Sequence, residues 1–401
     1  MTLRIGGNRT IVDLFADNVR TVSEKPFVRF SGVEYTYGDI GRASEQLAEL
    51  LGQVGIGCQD CVALSITNRP AFLIAFLAIL GRSATVVPLN TLYKPDEARY
   101  ALDHAGCQAV VTEESLAPVV NEAREQADHE VICFVAGSED ENSFAFVPGR
   151  RPPARRNTSP KKPKPSDIAG IFYTSGTTAR PKGVMITHEN MVYSAEVTVR
   201  SLGLGENDIP ALAFPLFHVN SLFYGVLTAI LLRGTVGLLR GLSVSQYWKG
   251  VVEVGATWTP GIIGSIIRLL LRQDKSDLET RHTMRFAVGG AFITLSEVQE
   301  FTNRFGVRLL PGWSMTETVS LGTLHPTVRL MPIPTISAIG FPTLGQEIRL
   351  IRSDGSDAAV GEPGEILYRS PSLFAGYLND VQATREAFTE DGWFRTGDVA
   401  Q

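Results

Sequence analysis

The chain has 401 residues, of which 44% are hydrophobic and 20% charged, and its formal net charge is −5. That composition supports a large buried core in two or three domains and excludes a globally basic nucleic-acid binder. The longest apolar run, Ala71–Leu80, is too short to span a bilayer, and the opening residues show no signal-peptide core or cleavage site.

Up to about residue 150, strand-like and helix-like segments alternate. Cys61–Ile66 reads as a buried strand. "PAFLIAFLAILG" then starts on a first-turn proline and ends on glycine, as a helix does. "SATVVPLN" is a strand, "KPDEARYALDHAG" a helix, and "CQAVVT" a strand again. This repetition predicts parallel pairing with helices covering the sheet. Of the four cysteines, Cys58 and Cys61 form a CxxC, but no second pair or paired histidines complete a zinc set. They read as small residues near a strand, and the protein as cytoplasmic with reduced thiols. Residues 148–165 hold six prolines and seven basic residues, the pattern of an extended, solvated linker.

Beyond it, "DIAGIFY" is an apolar strand and "GVMIT" another, whose Thr187 is placed to cap a helix starting at His188. "PGIIGSIIRLLL" is expected to be a helix from Pro260, with Gly261, Gly264 and Ser265 making room on one side. From about Ile339, short strands with turns at Asp354-Gly355 and Pro363-Gly364 predict a small antiparallel, barrel-like subdomain.

The stretch "TSGTTARPKG", residues 174–183, lies between the two strands. Its hydroxyls, exposed backbone N–H groups and Lys182 suit an anion. The spacing is not that of a P-loop: proline stands where the second glycine belongs, and a strand follows instead of a helix. On spacing alone it reads equally as a phosphate cradle or a polar turn.

With its neighbours, this stretch resembles the signature loop of the adenylate-forming superfamily, which includes acyl- and aryl-CoA synthetases. "PLFHV" (215–219), "GGA" (289–291), "GWSMTET" (312–318), "GEI" (364–366) and "RTGD" (395–398) follow in the family's order. The resemblance covers essentially the whole chain. It implies an α/β fold of two mixed or parallel sheets flanked by helices, in α/β/α/β/α layers, plus the small β subdomain. It also implies a reaction. A carboxylate attacks the α-phosphate of Mg-ATP to give an acyl-adenylate and pyrophosphate, and a thiol, usually of coenzyme A, takes the acyl group.

The same resemblance assigns roles. Thr174, Ser175, Gly176, Thr177, Thr178 and Lys182 would hold the phosphates. Thr316 and Glu317, with Thr174, are hard-oxygen groups suited to Mg²⁺. Gly312, Trp313, Ser314 and Met315 would border the adenine, with the Trp313 ring stacked on it. Asp398 would accept both ribose hydroxyls, while Gly289, Gly290 and Ala291 allow close approach of the nucleotide and acyl group. Phe217, His218, Val219, Leu222, Gly264, Gly289 and Thr318 would line the acid pocket. Ala179 replaces the family's usual glycine.

No acidic residue lies near His218 to pair with an ammonium, so the expected substrate is a carboxylic acid without an α-amino group. The small residues after Pro260, with Phe217, Leu222, Phe223 and Tyr224, suggest a roomy apolar pocket and hence a bulky hydrophobic acid. The expected partners are that acid, ATP and coenzyme A, with no nucleic acid, no membrane span, and a homodimer as the self-association to test. The whole chain reads as the family's large N-terminal domain, with subdomains at about 1–165, 166–338 and 339–401. The small C-terminal domain that follows the TGD motif is expected to be missing and this chain to be weakly active. The alternatives are an acyl- or aryl-AMP ligase loading a carrier protein, a degenerate adenylate-binding protein, and an ATPase of unrelated type.

Overall fold

The computed structural model describes residues 8–137, 140, 143–147, 161–174, 180–289, 293–325 and 338–401. The expected linker falls mostly outside them, as do Ser175, Gly176, Thr177, Thr178, Ala179, Gly290 and Ala291.

The chain opens with α1 (Ile11–Thr21), β1 (Pro26–Phe30), β2 (Val33–Thr36) and α2 (Tyr37–Gln53). Thr10 and Thr36 each cap a helix with an aspartate three residues on. The predicted alternation follows as β3 (Cys61–Ser65), α3 (Pro70–Gly81), β4 (Thr85–Pro88), α4 (Pro95–Ala105), β5 (Cys107–Glu113), α5 (Ala117–Glu125), β6 (Ile132–Ala136) and β7 (Phe144–Val147). Next come β8 (Ile168–Thr174), β9 (Lys182–Thr187) and α6 (His188–Leu202). Thr187 caps α6 as expected, accepting from the Asn190 backbone at 3.2 Å.

The middle of the chain supplies β10 (Ala211–Leu212), a π-helix (Asn220–Leu227), α7 (Thr228–Leu232), β11 (Val236–Leu238), α8 (Tyr247–Val254), β12 (Trp258–Ile262), α9 (Gly264–Leu271), β13 (Phe286–Gly289), α10 (Leu295–Phe305) and β14 (Arg308–Leu310). The last part holds β15 (Gly312–Trp313), β16 (Thr323–Leu324), β17 (Phe341–Pro342), β18 (Glu347–Ile351), β19 (Gly364–Arg369), β20 (Gly376–Tyr377), α11 (Val381–Glu386) and β21 (Phe394–Ala400).

Two sheets dominate, as the fold reading required. One has eight strands in the order β20-β9-β8-β4-β3-β5-β6-β7. Its centre, β8-β4-β3-β5-β6, is parallel, and both margins are antiparallel. The other runs β2-β1-β11-β10, and a parallel bridge from Pro210 to Trp258 carries it on to β12-β13-β14. Helix α3 is buried from Pro70 through Leu80, on every side. Only a helix enclosed by other layers keeps so uniform an apolar surface. One continuous core joins α2, α3, α6 and the π-helix to strands of both sheets.

Two expectations change. The helix predicted from Pro260 starts at Gly264, because Trp258–Ile262 pairs in parallel with β13. The register slips between Thr259 and Ile262, which accommodates a proline without a ladder N–H. The expected barrel-like element is an open three-stranded antiparallel sheet, β18-β19-β21. The CxxC does not form a site: Cys61 opens β3 opposite Cys107, and Cys58 is exposed. Among the described residues, no cluster of three or more His, Cys, Asp or Glu is arranged to hold a metal ion. No helix among them is long and apolar enough to cross a membrane.

Candidate active site

The β8–β9 hairpin presents the first pair of groups. Thr174 ends β8 and Lys182 begins β9, directly opposite each other in the ladder. The predicted phosphate loop therefore springs from one closed strand pair, which holds its two ends together. The Lys182 ammonium lies 4.8 Å from the centre of the Tyr377 ring, a cation–π contact. Tyr377 belongs to β20, which pairs with β9. Its hydroxyl donates to Glu317 Oε1 at 3.1 Å.

Glu317 is buried, and burial pushes its carboxyl above the usual range, while the Tyr377 hydroxyl and Lys182 pull it back in part. The turn that carries it is constrained. Thr318, fully buried, accepts from the Met315 backbone and donates to the Met315 carbonyl. Val319 takes φ +60°, costly for a β-branched residue. Ser194 holds the Val319 carbonyl at 3.0 Å, and the Glu317 carbonyl accepts from Phe374 N at 3.0 Å.

Trp313, on β15, is half-buried and rests on Gly322, where a Cβ would come within 2.6 Å of the indole. Tyr368 meets the ring edge-on at 5.7 Å. The indole N–H donates to Asp398 Oδ2 at 2.7 Å. Trp313 and Asp398, 85 residues apart, thus meet across β15 and β21.

A cavity of about 240 Å³ adjoins these groups. Its walls include Phe214, His218, Val219, Tyr224, Ile263 and Met315, with Asn220, Gly261, Ser314 and Thr316 completing it. Asn220 and Tyr224 stand about one turn apart on the π-helix, so both face the cavity. The Asn220 amide donates to the Pro260 carbonyl at 3.0 Å, and its flat face lies against Gly261, where any Cβ would collide. His218 is exposed at the mouth, and surrounding protein still desolvates it enough to lower its pKa. Buried Asn68 pins the loop before it, donating to Phe214 O at 2.8 Å and accepting from Leu216 N at 2.9 Å.

Of the residues expected here, Thr174, Lys182, His218, Val219, Trp313, Ser314, Met315, Thr316, Glu317 and Asp398 stand around the cavity or the adjoining polar groups. Gly289 ends β13 at φ +127°, where a Cβ would strike the Ile262 carbonyl, so only glycine fits. Gly312 opens β15 beside Trp313. Phe217 lies tilted against the His218 ring, centroids 4.4 Å apart, without forming a wall of this cavity. Leu222 is wholly in the core, Gly264 is buried at the start of α9, and Thr318 lies within its turn. Sequence reasoning missed Tyr377, Phe214, Ile263 and Asn220. Tyr377 lies 60 residues beyond Glu317, and nothing local marks it. Asn220 carried a signal, a polar residue two places past His218 and beside Ser221 in a mostly apolar run.

The AMP-binding enzyme family matches residues 15–378. The chain belongs to that family. The adenylate-forming superfamily resemblance, of the acyl- or aryl-CoA synthetase type, is therefore correct. Among curated proteins, sulfoacetate–CoA ligase of Cupriavidus necator is 30% identical over 395 residues, covering 97% of this chain and 75% of that protein. Crotonobetaine/carnitine–CoA ligase of Salmonella arizonae is 29% identical over 377 residues, covering 91% and 71%. Among solved structures, the anthranilate CoA ligase AuaEII in complex with anthranoyl-AMP superposes with a TM-score of 0.86 at 21% identity, covering 98% of this chain and 75% of that one. At that identity it supports the fold of this AMP-binding enzyme and nothing finer.

Proposed function

We propose that this AMP-binding enzyme is an ATP-dependent, AMP-forming acyl-CoA ligase acting on a hydrophobic carboxylic acid. The observation that carries the reading is the junction at Thr316-Glu317. Thr316 lines the apolar cavity, and Glu317 beside it turns to the Lys182–Tyr377 pair. An acid in the cavity would thus have its carboxylate where a phosphate chain held by Thr174 and Lys182 begins.

A carboxylate oxygen bonds to the α-phosphorus as the bond from that phosphorus to the pyrophosphate oxygen breaks. Coenzyme A sulfur then displaces AMP from the acyl carbon. Lys182 offsets phosphate charge, and the hairpin ends position it. His218 orients the acid and need not take a proton, since a carboxylic acid with a reference pKa of about 4 is ionised at neutral pH. The donor set also fits Mg²⁺, which takes few protein carboxylates when phosphates supply the rest. Glu317 is a buried carboxylate whose raised pKa a cation would relieve, and it would hold the ion together with Thr174 and Thr316. The ion, when bound, would neutralise phosphate charge.

The relatives are named for sulfoacetate, crotonobetaine and carnitine, so relatedness alone selects no acid. The cavity walls support the hydrophobic class. Among the described residues no carboxylate lines the cavity to pair with an ammonium, and its size favours a compact acid over a long-chain or polycyclic one.

Acid-dependent ATP–pyrophosphate exchange tests this. Exchange is expected with compact aryl or branched acids and not with free amino acids, and Glu317→Gln should lower it by roughly 100- to 1,000-fold. Release of ADP in place of AMP, or a preference for acetate, would overturn the proposal.

A further inference from the structure

The nucleotide reading above gives Trp313 one task, to offer a ring face to adenine. The geometry points to a second: Trp313 is a positioning residue for the ribose site, holding the Asp398 carboxylate through its indole N–H. This inference rests on the AMP-binding reading and goes beyond it by coupling base recognition to sugar recognition.

Asp398 is exposed and sits next to Gly397, which has φ +75°. An exposed carboxylate at such a break in the register of β21 rotates freely unless something holds it. Its backbone is fixed locally, because Asp398 N donates to Thr396 Oγ1 at 3.1 Å and Thr396 donates to the Ile366 carbonyl at 2.8 Å. Gly397 N also donates to Glu365 Oε1 at 3.3 Å. None of these contacts sets the side chain. The only hydrogen bond to the carboxylate from a described side chain is the 2.7 Å bond from Trp313 Nε1 to Oδ2, a charge-assisted bond of short length.

The indole is itself held on two other sides, by Gly322 against its benzo ring and by Tyr368 at its edge. A rigid donor therefore occupies one carboxylate oxygen and leaves Oδ1 to accept from a sugar hydroxyl. Phenylalanine would keep an aromatic face and lose the donor. Tyrosine would carry its hydroxyl at the far end of the ring, away from the Nε1 position.

The test is titration of the chain with AMP, 2′-deoxy-AMP and 3′-deoxy-AMP by calorimetry. The wild type should prefer AMP over each deoxy nucleotide by about tenfold, the worth of one net hydrogen bond to a charged group. Trp313→Phe should weaken all three nucleotides to a similar degree through its smaller stacking face and, beyond that, lose most of the preference for AMP over the deoxy nucleotides. Asp398→Asn should lose the same preference, and the double variant should lose no more, as coupled residues do. Unchanged discrimination in Trp313→Phe, or fully additive losses in the double variant, would overturn the inference while leaving the AMP-binding reading intact. Absence of AMP binding by the wild type would instead overturn that underlying reading and this inference with it. Matching thermal midpoints for Trp313→Phe and the wild type exclude a folding defect as the cause.

Discussion

The eight-stranded sheet and the small β18-β19-β21 sheet carry opposite halves of the site by opposite means. The first is held by burial. Strand β4 is buried at every residue, and α3 lies enclosed against it. The second is shallower: Tyr368 and Phe394 reach into the main core, but most of β18 and β21 is partly or fully exposed. Its own apolar cluster is Ile351, Leu367 and Trp393, and its exposed surface is laced by ion pairs. These include Arg349–Asp357 at 2.9 Å, Arg352–Glu362 at 2.5 Å, Arg369–Glu347 at 2.7 Å and Arg395–Glu365 at 2.8 Å. Thr174 and Lys182, proposed to hold phosphate, ride on the deep sheet, and Asp398, proposed to hold the ribose, on the shallow one. A charged transition state needs fixed partners, which burial provides. A carboxylate on a shallow sheet needs a separate restraint, which Trp313 supplies.

The contrast can be broken first where burial is deepest. Phe76, on α3, is fully buried. Phe76→Ala should destabilise the protein by about 3–5 kcal/mol, measured by chemical denaturation, because the enclosed layer cannot collapse into the void. A loss below about 1 kcal/mol would show that the layer is looser than its burial implies.

A pH titration of stability sharpens the same point. His188 opens α6 with 1% of its surface exposed, and burial holds its pKa down at about 4. Its Nδ1 has no hydrogen-bond partner among the described residues. The unfolded chain binds a proton near pH 6.5, where the folded one does not. Stability should therefore fall as pH drops from about 6.5 to 4 and level off below, by about 3 kcal/mol in all. His188→Leu should remove that slope and leave the acid limb to the carboxylates.

The smallest effect belongs to the shallow sheet. Arg352 and Glu362 are both roughly half exposed. Arg352→Ala should move the thermal midpoint by less than about 2 °C, since solvent and salt screen such pairs. A larger shift would mean that the surface ion pairs act as a network and that the two sheets differ less than their burial suggests.

Much of this site was legible in order along the chain. The hydroxyl-rich stretch between two apolar strands led to a hairpin whose ends, Thr174 and Lys182, stand in register. Thr187 was readable as a helix cap because capping depends on residues only three apart. The segment after Pro260 departs from the expected helix for a nonlocal reason. Trp258–Ile262 is extended because β13 lies beside it, and no local pattern shows the neighbour. Leu222 and Gly264, expected to line the pocket, are buried and do not stand among the cavity walls.

From sequence alone came the alternating α/β architecture, the phosphate hairpin, the ordered motifs and the absence of an acidic residue near His218. These depend on periodicity and short spacing, which chain neighbours express by themselves. Tertiary structure decided that Tyr377 links Lys182 to Glu317, that the π-helix turns Asn220 and Tyr224 to one cavity, and that Trp313 grips Asp398. Each of these joins residues brought together by sheet pairing or by core packing. Hydrogen bonds and steric contacts act within a few ångströms, so their partners are set by the folded path of the chain.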